Sequence, residues 1–297
     1  MIVKENIRDF DLEHIFDCGQ CFRWEVQPDG SYTGIASGRP PTNVAFYPYE
    51  GKKFEGKLVI DNAKEADFDE FWYSYFDFAR DYGEIKNKLR EHDPIMSKAI
   101  DFGQGIRILK QDKWETLISF IISQNNNITR IKGCISTLCE NFGEYAGEYK
   151  EKKYFDMPTA EVLAGLTEQD LAVCKLGYRA KYLIETAKVV KEDNYKKLRS
   201  MDGVSAGDAF EYLTSLSGVG PKVANCIMLF SMNKYERFPI DVWVKKAMNK
   251  FYDIDIEGMD AMAQYAAENF KEIGGFAQQY LFYYMKSVKS PEEGANT

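Results

Sequence analysis

Two charged residues, Lys222 and Asp241, stand in apolar company late in the chain. The stretch from 216 to 248 reads LSGVGPKVANCIMLFSMNKYERFPIDVWVKKAM. Gly218 and Gly220 flank Val219, so the backbone can turn tightly there and approach a partner with no Cβ in the way. Pro221 suits the first turn of a helix. The helix it opens presents free N–H groups outward, and such an end attracts an anion. Lys222 takes the second position of that helix, beside Val223, Ala224, Ile227, Met228, Leu229 and Phe230. Partial desolvation and the positive end of the helix dipole both favour its neutral amine, which is a nucleophile. Cys226 falls one turn on, hence on the same face; alone it reads as a core cysteine. Asp241 lies in FPIDVWV, where a carboxylate needs a partner or a task. Capping the following helix is one such task, and it is compatible with chemistry.

The hairpin LSGVGPK, with the aspartate of FPIDV nineteen residues after the lysine, resembles the helix-hairpin-helix, Gly/Pro-Asp superfamily of DNA glycosylases. It is similar to the branch that has both lysine and aspartate. Further motifs, CGQCFRW, the NNN run with Arg130, LGYRAKY, and Gln278 with Phe282, resemble the 8-oxoguanine DNA glycosylase/lyase group. The likeness runs from about Cys18 to Phe282. It implies that Lys222 attacks the anomeric carbon of the sugar and that Asp241 stabilises the developing positive charge and assists proton transfer. It implies that Cys226 and Phe282 hold a flipped purine, that Gln278 bonds its Watson–Crick edge, and that the Gly19 carbonyl accepts the ring N–H found in 8-oxoguanine and not in guanine. Asn125, Arg130 and Arg179 would contact the orphaned cytosine, with Tyr178 wedged beside it. Gly218, Gly220 and Val223 would meet the DNA backbone. The expected partner is double-stranded DNA containing 8-oxoguanine, with cytosine preferred opposite the lesion, and no cofactor or metal is expected. Tyr178 as core packing and Arg179 as a plain phosphate contact remain alternatives. In one departure, Trp243 stands where the pattern commonly has a histidine that touches phosphate.

The 297-residue chain has 38 basic against 46 acidic side chains, a net charge of −8. An acidic protein is at first sight a poor partner for nucleic acid, but the charge is unevenly placed. Between Lys175 and Arg199 eight bases face three acids, 8 − 3 = +5, whereas 61 to 93 holds ten acids and five bases. A basic island on an acidic protein fits a face that meets phosphate, although such a run is also what a solvated helix shows. Six cysteines are too few and too scattered for a secreted disulfide framework, and reduced thiols are expected. Cys18 and Cys21 form a CxxC, yet no second pair and no suitably placed histidine completes a zinc site. No cysteine follows Cys226, which excludes the four-cysteine iron–sulfur cluster of some relatives. No apolar run approaches membrane length, and the acidic start MIVKENIRDFDLEHIF does not read as a signal. A cytoplasmic, nucleoid-associated monomer is expected. Three rivals compete. An alkylated-purine glycosylase would generally lack the lysine, a non-catalytic DNA-binding module would leave Lys222, Cys226 and Asp241 unexplained, and a thiol oxidoreductase would depend on Cys18.

Positioning these residues requires an α+β fold. CFRWEV, SYTGIA, VAFYPY and KLVIDN read as an antiparallel meander, with PDG at 28–30 as a turn. From about Asp67 the spacing turns helical, with Ile85 and Leu89 four apart, and nearly everything beyond is expected to be helix. The spacing predicts a helix from Lys113 to Ile122, a junction at SQNNN, and a second helix over ITRIKGCISTLCENF. A linker follows at 143–156, then a helix that Thr159 caps, with a break at Gly177. The expected division is an N-terminal antiparallel sheet domain with helices (1–98), packed on an all-helical helix-hairpin-helix glycosylase region (99–290), and a frayed tail (291–297). The active site would lie in the cleft between the two.

Overall fold

A computed structural model describes residues 1–91, 93–252 and 258–288. The meander forms a five-stranded antiparallel sheet of order β1-β5-β4-β3-β2, with β1 Ile2–Arg8, β2 Trp24–Val26, β3 Tyr32–Gly34, β4 Thr42–Tyr49 and β5 Lys52–Asp61. The PDG turn closes β2 onto β3, the Gln27 N–H donating to the Ser31 carbonyl at 2.7 Å. Strand β1 was absent from the expectation because only Ile2 of it is buried and left-handed Asn6 (φ 59°) breaks its register. An edge strand so charged shows no alternation to read. One face of the sheet carries a largely aromatic core in which Phe16 stacks on Trp24 with ring centres 4.5 Å apart, alongside Phe10, Trp72 and Phe76.

The expected boundary at 98 is corrected, because it falls inside helix Pro94–Phe102. Met96, Ala99 and Ile100 of that helix belong to the helical core, where it packs on helix Gly274–Ser287. The sheet core instead takes its residues up to Phe78 and then recruits Leu109. Ile85 and Leu89 are buried on helix Tyr82–Arg90, as their spacing requires.

Beyond it lie helices Lys113–Ser123, Ile128–Phe142, Arg179–Glu192, Ala206–Thr214, Pro221–Ser231 and Val242–Phe251. Asp112, Asn127, Thr159, Ser205 and Asp241 accept backbone N–H groups at helix starts, satisfying donors that the helix itself cannot. The linker expected at 143–156 is corrected to an antiparallel hairpin, β6 Tyr145–Tyr149 and β7 Lys152–Phe155. Its two-residue turn, Lys150 and Glu151, lies in the left-handed region (φ 47° and 66°), the twist that tight hairpins favour. None of its side chains is fully buried, so the sequence carries no alternating apolar signal. The region from 99 onward is therefore not all helix. Arg23 ties the layers, bonding the Glu115 carboxylate at 2.8 Å and the carbonyl of Phe155. The tail 291–297 lies outside the described residues.

Candidate active site

Helix Ala206–Thr214, a turn, and helix Pro221–Ser231 make the hairpin. Gly218 sits at φ 76°, and a Cβ there would lie 2.7 Å from the Cβ, Cγ and Cδ2 of Tyr182, so both backbone and space demand glycine. The Gly218 carbonyl accepts from Gln124 Nε2 at 2.7 Å, and the Ser217 carbonyl accepts from Thr186 Oγ1 at 2.8 Å. Gly220 opens the second helix with no capping side chain, its carbonyl accepting from the Ala224 N–H at 2.9 Å. By helix geometry the N–H groups of Lys222 and Val223 have no carbonyl inside the helix to pair with. The Val223 side chain is buried in the helical core, which leaves its backbone N–H as the group open to the expected contact.

The half-buried Lys222 holds Nζ 5.5 Å from the centre of the Phe120 ring. Phe120 meets Phe22 edge-on at 5.7 Å and stacks on Phe230 at 5.5 Å. Cys226 is buried beneath the amine; burial pushes its thiol up, and the Lys222 charge opposes that. Asp241 caps helix Val242–Phe251, Oδ1 accepting from the N–H groups of Trp243 at 3.0 Å and Val244 at 2.8 Å. Burial holds its carboxyl above the usual carboxylate range, against the pull of the Val244 N–H, the Lys222 charge and the Trp243 N–H. Structural cap and perturbed acid are thus one residue. The structure brings Lys222, Cys226 and Asp241 together.

A second wall comes from the other layer. Gly19 has φ 79°, and a Cβ there would stand 3.2 Å from Cε1 and Cζ of Phe282. Its carbonyl accepts no hydrogen bond among the described residues. Gln278 lies one turn before Phe282 on helix Gly274–Ser287 and is buried, its Oε1 accepting from Gln279 Nε2 at 3.1 Å. Cys21 faces the sheet core, while Phe22, next in the chain, faces the helical core and reaches Phe120 beneath Lys222. The thiols of Cys18 and Cys21 donate to the carbonyls of Ile15 and Phe16 at 3.3 and 3.8 Å. Burial pushes Cys18 up to about 12 and Cys21 well up, the opposite of what a reactive thiolate pair requires.

Asn125, Arg130, Tyr178 and Arg179 form a separate cluster. The left-handed Asn125 (φ 46°) sends its amide toward the Tyr178 hydroxyl at 3.4 Å, and Arg130 donates to the Lys175 carbonyl at 3.2 Å. Tyr178 is half exposed, with the Arg179 guanidinium 4.7 Å from its ring centre. The Arg179 side chain, expected to contact the orphaned cytosine, is buried in the free protein. It donates to the Gln124 carbonyl through Nε and Nη2, to Asn125 through Nη2 at 3.1 Å, and to Leu176 through Nη1 at 3.2 Å. Carbonyls turned inward at this junction need donors, and Arg179 supplies them while fixing the loop that presents Asn125. Gln124, which the sequence reading passed over, connects this cluster to the hairpin; its only signal was being the first polar residue after an apolar helix. Of the eight bases from 175 to 199, all but Arg179 are exposed. A cavity of about 340 Å³ lined by Asp112, Asp156, Tyr195 and Arg199 holds none of the residues expected to do chemistry, receive the base or contact the orphaned cytosine.

Residues 2–117 match the family described as the 8-oxoguanine DNA glycosylase N-terminal domain, and residues 118–272 match the HhH-GPD superfamily of base excision DNA repair proteins. The chain belongs to the 8-oxoguanine DNA glycosylases of the HhH-GPD superfamily. A Clostridium acetobutylicum 8-oxoguanine glycosylase/lyase, solved with duplex DNA containing cytosine opposite 8-oxoG, superposes with a TM-score of 0.88 at 44% identity, covering 96% of this chain and 94% of that one. The N-glycosylase/DNA lyase of Saccharomyces cerevisiae is 41% identical over 161 residues, 51% of this chain and 43% of its own length. A Methanothermobacter thermautotrophicus protein named "Probable N-glycosylase/DNA lyase" is 32% identical over 210 residues, 64% of this chain and 66% of its own length. The chain thus spans less than two thirds of the length of these two curated relatives. Among the described residues, no helix is long and apolar enough to cross a membrane.

Proposed function

We infer that the protein is a bifunctional DNA glycosylase and abasic-site lyase that excises 8-oxoguanine from duplex DNA. The observation that carries this reading is an amine at an uncapped helix start, set beside a partly buried carboxylate and linked through Phe120 and Phe22 to the Gly19 loop. A base inside a duplex is out of reach, so the nucleotide must be flipped, at about a few kcal/mol of unstacking. Gly19, Cys226, Gln278 and Phe282 receive the purine. Guanine leaves the Gly19 carbonyl unpaired, and an unpaired buried acceptor is what discriminates against it. Lys222 Nζ forms a bond to the anomeric carbon as the glycosidic bond breaks, and the base departs with the bonding electrons and takes up a proton. Asp241 stabilises the positive charge that develops on the sugar. Ring opening gives a Schiff base on Lys222, whose electron-sink character lets a C2′ proton leave and the 3′ phosphate depart. The free N–H groups of Lys222 and Val223 with Gly218 and Gly220 hold backbone phosphate, and Asn125, Arg130 and Tyr178, braced by Arg179, meet the base left behind. The enzyme works without a cofactor, as a monomer in the cytoplasm.

Duplexes carrying 8-oxoguanine opposite each of the four bases test the reading on denaturing gels, with and without borohydride. Strand nicking greatest opposite cytosine, and a protein–DNA adduct trapped by borohydride, are expected. Nicking indifferent to 8-oxoguanine overturns the substrate, and absence of an adduct overturns the amine mechanism.

A further inference from the structure

Gln20, next to Gly19, has a buried, hydrogen-bonded side chain that the chemistry above does not use. It is 1% exposed. Its Nε2 donates to the carbonyls of Ile15 and Arg107, both at 2.8 Å, and its Oε1 accepts the Leu109 N–H at 2.8 Å. Its own carbonyl accepts from Gln111 Nε2 at 2.8 Å. All three side-chain partners are backbone groups of fixed polarity, so only one orientation of the amide satisfies them. Two of them, at 107 and 109, lie on a segment anchored independently. The buried Arg107 guanidinium donates to the carbonyls of Arg8 at 2.9 Å, Asp9 at 3.1 Å and Asp77 at 3.0 Å. The third, Ile15, is on the short helix Leu12–Phe16 that leads into the loop.

We propose that Gln20 is a positioning residue that sets the direction of the Gly19 carbonyl and so governs the discrimination of 8-oxoguanine from guanine. This rests on reading the site as an 8-oxoguanine pocket. Gly19 occupies a left-handed turn that places its Cα against the Phe282 ring. A glycine has no side chain to hold it, so its carbonyl direction is fixed only by its neighbours. Cys18 is held by one sulfur hydrogen bond to the Ile15 carbonyl at 3.3 Å, a weak contact. Gln20 takes part in four stronger ones, three of which fasten the loop to the 107–111 segment. A misdirected acceptor loses the one bond that separates the two bases, while the amine that cleaves the sugar stays in place.

The test uses the full chain with Gln20→Met, which keeps length and removes all three side-chain bonds. Two rates are compared with those of the unsubstituted enzyme: release of 8-oxoguanine opposite cytosine, and nicking of a duplex with a preformed abasic site, which needs Lys222 but no base. Base release is expected to fall at least tenfold and nicking at the abasic site to stay within about twofold. Guanine duplex should compete with 8-oxoguanine duplex about tenfold better than it does for the unsubstituted enzyme. Parallel loss of both rates would mean a general structural role and overturn the proposal, as would unchanged discrimination. If Gln20→Met does not fold, Gln111→Leu, which removes only the donor on the Gln20 carbonyl, decides by the same comparison. Inactivity of the unsubstituted enzyme on 8-oxoguanine would instead overturn the functional reading beneath.

Discussion

Asp241 combines two jobs that substitution can separate. Its Oδ1 accepts two N–H groups at the start of helix Val242–Phe251, and its buried charge faces Lys222. Asparagine caps a helix about as well as aspartate, whereas alanine does not, and losing such a cap costs about 0.5–2 kcal/mol. In a chain of this size about 1 kcal/mol moves Tm by roughly 2 °C. Asp241→Ala should therefore lower Tm by roughly 1–4 °C, while Asp241→Asn should leave it nearly unchanged. Base release should fall in both, by about a hundredfold or more, the scale of a lost charge-stabilising or proton-transfer group. The carboxyl is raised in the folded protein, so the ionised form carries the desolvation penalty. Its contribution to stability is present at low pH and is lost as pH rises from the unfolded carboxylate value through the higher folded one. The acid limb of the rate profile should lie above the ordinary carboxylate range and vanish in Asp241→Asn. Differential scanning fluorimetry and single-turnover release on the same preparations provide the check. If Asp241→Asn released base at the native rate, or lost as much Tm as alanine, the dual assignment would be wrong.

Three further outcomes are expected. Lys222→Gln should abolish base release and borohydride trapping while duplex affinity changes little, and a trapped adduct in that variant would remove Lys222 from the nucleophile role. Gly218→Ala puts a Cβ 2.7 Å from Tyr182 in a left-handed turn; the backbone alone costs about 1–2 kcal/mol, so Tm should fall and duplex binding weaken, as a melting curve and a titration would reveal. Duplex affinity should fall linearly in log–log form with salt, and neutralising any one phosphate-contacting lysine among Lys175, Lys181 and Lys188 should reduce the slope by about 0.9. A slope near zero would show that this exposed basic face does not meet DNA.

The candidate site was legible because it broke local rules. A lysine and an aspartate set among apolar residues, with a Gly-x-Gly turn before them, need an explanation that a surface helix does not supply. The meander and the amphipathic helices were legible because their apolar periods survive in the sequence. What stayed hidden depended on contacts between distant segments. Strand β1 and the 145–155 hairpin bury almost nothing, so neither writes a pattern. Arg179 looks like any basic residue of a charged run until the carbonyls of Gln124, Asn125 and Leu176 converge on it. Gln20 likewise gives no sign of itself, since its partners at 107 and 109 lie almost ninety residues away.

Leu109 has a consequence for how the molecule can be divided. It belongs to the sheet's core although the chain reaches it only after helix Pro94–Phe102 has joined the other layer. An N-terminal fragment ending near 98 would carry an unfilled socket the size of a leucine, a defect worth about 2–5 kcal/mol. The sheet is therefore no detachable module, and the Gly19 loop it carries is inherited together with the helices that complete it.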